Sequence, residues 1–78
     1  MWTKGATRVE GTEVLFWIKH FDEPSEDYGI DGGRISKIML KVNGTCTLNY
    51  DRGWDIEPED KASQFAFAIL MQKYNSSG

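Results

Sequence analysis

One dipeptide, Asn43-Gly44, constrains this chain more than any other feature, because it separates two short runs of alternating character. Residues 34–42 carry Ile35, Ile38, Leu40 and Val42, with Ser36, Lys37 and Lys41 between them. Residues 45–50 carry Cys46, Leu48 and Tyr50 between Thr45, Thr47 and Asn49. A period close to two in β-branched, half-apolar runs argues for strands. Asn-Gly argues for a tight reversal between them, since both residues accept positive φ. The stretch 28–55 therefore reads as one β-hairpin with an irregular loop at each outer end.

The register follows from matching faces. A two-residue loop pairs Val42 with Thr45 and sets Leu40 opposite Thr47, so the apolar residues of the two strands fall on opposite sides. A three-residue loop, with Gly44 in the left-handed bulge position, pairs Leu40 with Cys46 and Ile38 with Leu48. One face is then apolar on both strands. A one-residue slip turns every side chain over, so the pattern predicts the bulged loop.

The remainder of the chain is fitted around that hairpin. Residues 2–10 form a weak strand and residues 13–21 a strong one, joined near Gly11-Thr12. In the strong strand Val14, Phe16 and Ile18 make one face, and Leu15, Trp17, Lys19 and Phe21 the other; a strand apolar on both sides belongs inside its sheet. Residues 22–33 break all periodicity with Pro24 and Gly29, Gly32 and Gly33 among five acids, a loop of the length at which loops become functional or disordered. Residues 58–74 read as the helix, with Pro58 at its first position, Glu59 and Asp60 near its positive end and Lys73 in its last turn. Its apolar positions sweep more of the circumference than one sheet face can cover.

The prediction is an α+β fold: a four-stranded antiparallel meander with one C-terminal helix packed on one face, in the order ββββα. A chain of 78 residues is too short for two cores, so residues 1–75 make a single domain. Asn75-Ser76-Ser77-Gly78 reads as a frayed end, with 76–78 a disordered tail. Cys46 is the only cysteine, so no disulfide framework is available. No leader or membrane span is visible, and the expected compartment is cytoplasmic. The net charge of −3 draws the chain neither to nucleic acid nor to anionic membrane, and nucleic acid is not an expected partner.

Chemistry can gather in three places. The hairpin brings its two outer loops to one end, and the helix N-terminus is expected there too. That end collects Tyr28, Gly32, Gly33, Arg34, Asp51, Arg52, Trp54 and Asp55. Two guanidiniums, an aromatic plate and free amides suit a small anionic, nucleotide-like ligand or a protein partner. The bland alternative pairs those arginines with Asp51, Asp55 or Asp31 and uses Trp54 as a lid on the core. The sheet face turned from the helix carries Trp17, Lys19, Phe21, Lys37, Met39 and Lys41, an aromatic and basic alternation of the kind that stacks single-stranded bases, although no RNP-type motif accompanies it. Trp17 and Phe21 there, with Phe67 and Met71 on the helix, are the expected interface residues for a host or phage protein or for a second copy in a homodimer. A calcium loop starting at Asp27 fails, with Gly29 at its third position and Ile38 where a bidentate Glu belongs, so no metal or cofactor is expected. His20 is the only histidine, and no nucleophile is placed beside it by any pattern, so the chain does not read as an enzyme.

The blocks Tyr28-Gly29-Ile30, Gly32-Gly33-Arg34-Ile35-Ser36-Lys37 and Asn49-Tyr50-Asp51-Arg52-Gly53-Trp54-Asp55, with Ser25 and an early Trp2-x-x-Gly5, resemble a family of small proteins of phages and prophages of Gram-positive bacteria. The resemblance spans most of the chain and carries no activity. It implies a cytoplasmic, mobile-element setting in which small proteins act by binding. The expected function is a non-enzymatic binding module working through the two joined loops. The alternative is a structural or assembly protein whose loops only brace the fold.

Overall fold

The computed structural model describes residues 2–23, 27, 29–30 and 33–75. Five strands, β1 (Trp2–Val9), β2 (Thr12–His20), β3 (Ile35–Val42), β4 (Thr45–Asp51) and β5 (Trp54–Ile56), form one antiparallel sheet in sequence order, followed by the helix α1 (Lys61–Tyr74). The α+β meander with a C-terminal helix is as expected, but there are five strands rather than four. The extra strand is three exposed residues long, too short for any period to register in the sequence.

Both long hairpins turn on two residues of positive φ, Glu10 (50°) with Gly11 (81°) and Asn43 (52°) with Gly44 (79°). This geometry matches the right-handed twist of the strands it joins. The three-residue loop expected at Asn43-Gly44 is therefore incorrect: Val42 faces Thr45 and Lys41 faces Cys46 across a two-residue turn. The register then shifts between Leu40 and Lys41, so that Leu40 faces Leu48 and Ile38 faces Tyr50. The demand for one apolar face holds, and an irregularity inside β4 meets it rather than the loop. Cys46 consequently lies half-buried beside the turn instead of opposite Leu40.

Val14, Phe16 and Ile18 of β2, Ile35, Ile38 and Leu40 of β3 and Leu48 of β4 make the buried face, closed by Ala66 and Leu70 of α1. Phe16 lies across Gly5 of β1, where a Cβ would stand 3.0 Å from the ring. Phe67, Met71 and Tyr74 pack at the margin of this core.

The helix starts three residues later than Pro58 suggests. The Asp60 carboxylate caps it, accepting from the Ser63 amide at 2.9 Å, and Pro58-Glu59 stay outside. Slight desolvation pushes the Asp60 carboxyl up, but the hydrogen bonds from the Ser63 amide and hydroxyl and from its own backbone outweigh this and hold it below its usual 3.8. The buried Ser63 hydroxyl is hydrogen-bonded to that of Thr47 at 2.6 Å, which pins the first turn to β4.

At the other end, Asn75 is not frayed. Its amide donates to the Ile30 carbonyl at 2.9 Å and accepts from the Ile35 amide at 2.8 Å, while its own N–H reaches the Met71 carbonyl. The side chain fills the space that a Cβ on Gly33 would need. Residues 76–78 lie outside the described part of the chain.

Candidate functional site

The outer ends of β3 and β4 lie side by side. The Arg52 amide donates to the Ser36 carbonyl at 3.0 Å, and the Phe21 amide to the Arg34 carbonyl at 2.8 Å, which ties the ends of β2, β3 and β4 together. The helix N-terminus does not join them. Strand β5 reverses the chain after Gly53, so α1 begins near Thr47, at the far half of β4, and runs back to finish beside Gly33. The expected free helical amides are absent from the loop end for a second reason as well, because Asp60 already occupies the helix N-terminus.

The expected ligand-binding residues divide between the two sides of the sheet. Trp54 lies on the helix side, edge-on to Tyr50 at 5.2 Å and to Phe67 at 5.4 Å between ring centroids, with 43% of its surface exposed. Arg52 opens onto the other side, where it lines a groove of about 420 Å³ with Lys19, Phe21, Ser36 and Lys37. Asp51 bridges the cations there, 3.5 Å from Lys37 and 3.6 Å from Arg52. Asp55 accepts from Asn49 at 3.1 Å. Arg34 is half-buried, and its Nε has no hydrogen-bond partner among the described residues. Gly33 serves as the seat for Asn75. Tyr28 and Gly32 lie outside the described residues, as do Ser25 and Asp31 and with it part of the calcium-like loop.

Arg52 holds φ at 57°, a left-handed conformation that Asn or Gly adopts more readily than Arg. A strained backbone under an exposed cation is a common mark of a site. Glu10 has a similar φ in a plain hairpin turn, so the dihedral counts only together with the groove beside it.

The sheet face opposite the helix follows from the register. Lys4 faces Trp17, Trp17 faces Met39, and Met39 faces Asn49. Lys19 faces Lys37, Lys37 faces Asp51, Leu15 faces Lys41, and Arg8 faces Glu13. All alternate with the buried Val14, Phe16 and Ile18, so they share the side opposite the helix. Lys41 Nζ lies 5.6 Å from the Trp17 ring centroid, and a shallow hollow of about 280 Å³ opens beside that ring between Met39, Lys37, Asn49 and Asp51.

Of the expected interface residues, Trp17 and Phe21 are on that open face, whereas Phe67 and Met71 pack at the core margin. The large apolar residues that the helix exposes are Phe65 and Ile69, at 53% and 47%. Helical spacing alone ranked all of these together, because it gives the width of an apolar face but not which part of it the sheet covers.

His20 is on the helix side, stacked on Tyr74 at 6.0 Å between centroids. Asn75 is the residue that sequence reasoning missed; the usable signal was a helix-ending Asn following a Lys-containing last turn. A hollow of about 820 Å³ lies on the β5 side and is bounded by Asp55, Glu57, Glu59 and Asp60 with Trp54, an acidic lining that does not suit an anion. Among the described residues no group of three or more His, Cys, Asp or Glu is placed to hold a metal, and no helix is long and apolar enough to cross a membrane.

A family model matches residues 1–75, and the chain belongs to that family, DUF7678, a domain of unknown function. No curated protein and no solved structure matches the chain.

Proposed function

We propose that this member of the family is a small, non-enzymatic binding module that takes an anionic ligand at the groove between Phe21, Ser36, Lys37 and Arg52. The observation that carries the reading is the position of Arg52. Its side chain, 60% exposed, stands on a left-handed backbone beside a concave surface lined by two lysines and an aromatic ring. Two of those cations share one carboxylate, Asp51, so positive charge is left over for a ligand. The phage and prophage setting implied by the GGRISK and NYDRGWD blocks belongs to this reading, and with it a cytoplasmic ligand.

Titration with inorganic phosphate and with a nucleoside monophosphate, followed by backbone NMR shifts, tests the proposal. Shifts centred on Phe21, Ser36, Lys37 and Arg52 are expected. Arg52→Ala should remove them and leave the thermal midpoint nearly unchanged. Shifts scattered over the surface, or none at millimolar ligand, would reject the groove as a site.

The assembly reading is favoured by a separate feature, the exposed Phe65 and Ile69 one turn apart on the helix. It predicts a partner on the helix side. A Phe65→Gln, Ile69→Gln variant that stays folded but changes oligomeric state in light scattering would support it over the groove.

A further inference from the structure

The overall charge of the chain hides a segregation that only the fold reveals. Lys4, Arg8, Lys19, Lys37 and Lys41 share the uncovered face, and Arg52 stands at its rim. The strand register places two acids on that face, Glu13 and Asp51, with Asp55 at its edge through Asn49. Six of the nine basic residues of a chain with net charge −3 are thus on one side of a sheet. The acids Glu57, Glu59 and Asp60 line the hollow on the other side. Since screening in physiological salt acts over about 8 Å, a ligand on the open face meets the local charge rather than the net one.

We propose that this face binds single-stranded nucleic acid. This deepens the groove reading and rests on it, since the groove at Arg52 becomes one end of a longer track. Two hollows lie side by side on the face, with Lys37 on the wall of both. One holds Trp17 of β2 and the other Phe21, one residue past the end of that strand. Each hollow is shallow and open, and the one at Trp17 is slightly smaller than the roughly 300 Å³ at which pockets for whole small molecules begin. That suits the flat face of one base better than an enclosed ligand.

The two hollows take separate roles. A base stacked on Trp17 takes the place of the Lys41 ammonium above the ring, which is released toward the phosphates, while Lys4 sits across the ring on β1. The Asn49 amide and the Asp51 carboxylate stand at the edge of the hollow, where a base presents its hydrogen-bonding groups. Beyond Lys37 the strand continues past Phe21 to Arg52, whose planar guanidinium grips a phosphate through two N–H groups. A duplex can meet the lysines through its phosphates but offers no unstacked base to Trp17.

The test is fluorescence anisotropy of a labelled oligothymidylate of about twelve nucleotides with the intact chain. It is run beside the same length of duplex, a mononucleotide and poly-glutamate. The single strand is expected to bind more tightly than the mononucleotide and the duplex. Its log K should fall with log salt at a slope of about −2 to −4, the release from three to six phosphates. Trp17→Ala should weaken it at least about tenfold, with circular dichroism and thermal midpoint preserved. Lys37→Gln should lower the salt slope.

If the mononucleotide shifts the groove residues but the oligonucleotide binds no more tightly, the strand is rejected and the groove survives. If neither binds, both fall. If poly-glutamate binds as well as the oligonucleotide and Trp17→Ala has no effect, the face is an electrostatic surface for an acidic protein, and the nucleic-acid inference is overturned.

Discussion

The two faces of this sheet are built from the same strands and differ in almost everything else. On the helix side Ile18, Ile38, Leu40 and Leu48 are sealed under Ala66 and Leu70, and the hydroxyls of Thr47 and Ser63 are hydrogen-bonded to each other. On the other side Trp17, Met39, Lys37 and Lys41 are half-buried, with Lys41 over the Trp17 ring and Lys37 beside Asp51. Residues next to each other in sequence, such as Met39 and Leu40, therefore live under different rules. One face is specified by packing, which tolerates little change in volume. The other is specified by charge and by flat rings, which contribute little to folding and suit contact with something else.

The largest expected effect puts that contrast to a direct test. Leu40→Ala should cost about 2–5 kcal/mol of unfolding free energy, whereas Met39→Ala one position away should cost under about 1.5 kcal/mol. Urea titration of the two variants measures both, and similar losses would mean that the open face is itself covered in solution.

The helix ends come next. Asn75→Ala removes the partner of the Ile35 amide and the Ile30 carbonyl and should cost about 1–3 kcal/mol. Gly33→Ala should destabilise by a comparable route, since the new methyl meets the Asn75 amide. Combining the two should cost less than the sum if both act through one contact, which a double-mutant cycle in urea reads.

Asp60→Ala should cost about 1 kcal/mol through the lost cap. Because the Asp60 carboxyl titrates below 3.8 when folded, its contribution is complete above pH 3.8 and disappears as pH falls through the lowered folded value. Asp60→Asn should keep most of the cap and lose that part of the acid dependence, as thermal midpoints between neutral and acid pH would report.

The smallest effect on stability is expected at Arg52. Arg52→Gly relieves a left-handed backbone and should change unfolding free energy by no more than about 1 kcal/mol, with stabilisation the favoured sign. The same substitution should abolish ligand shifts in the groove. A variant that loses stability and binding together would return Arg52 to the structural reading.

What the sequence made legible follows the strength of each local signal. The alternation in 13–21 and 34–42 located β2 and β3 and told their two faces apart, because burial on one side imposes period two. The β3–β4 register was not legible: any arrangement that restores a common apolar face satisfies the pattern, and the shift at Leu40/Lys41 leaves no sequence mark. Missing β5 had a larger consequence than its three residues suggest. It reverses the chain, sends the helix N-terminus to the other half of the sheet and divides Trp54 from Arg52. That the outer ends of β3 and β4 adjoin was legible, because hairpin geometry requires it. The basic face was visible only in part, since Lys4 and Arg8 join it through a β1–β2 register that no motif announces.

The Asn75 clamp has a consequence for synthesis. The carbonyl and amide that it joins, at Ile30 and Ile35, emerge from the ribosome some forty positions ahead of it. The strands can pair in order as they appear, yet their apolar side stays bare until the last helical turn has been made. A nascent chain of this kind passes through an interval with a formed but uncovered sheet, the condition most exposed to wrong association. A fusion placed directly after Asn75 would act at the step that ends that interval.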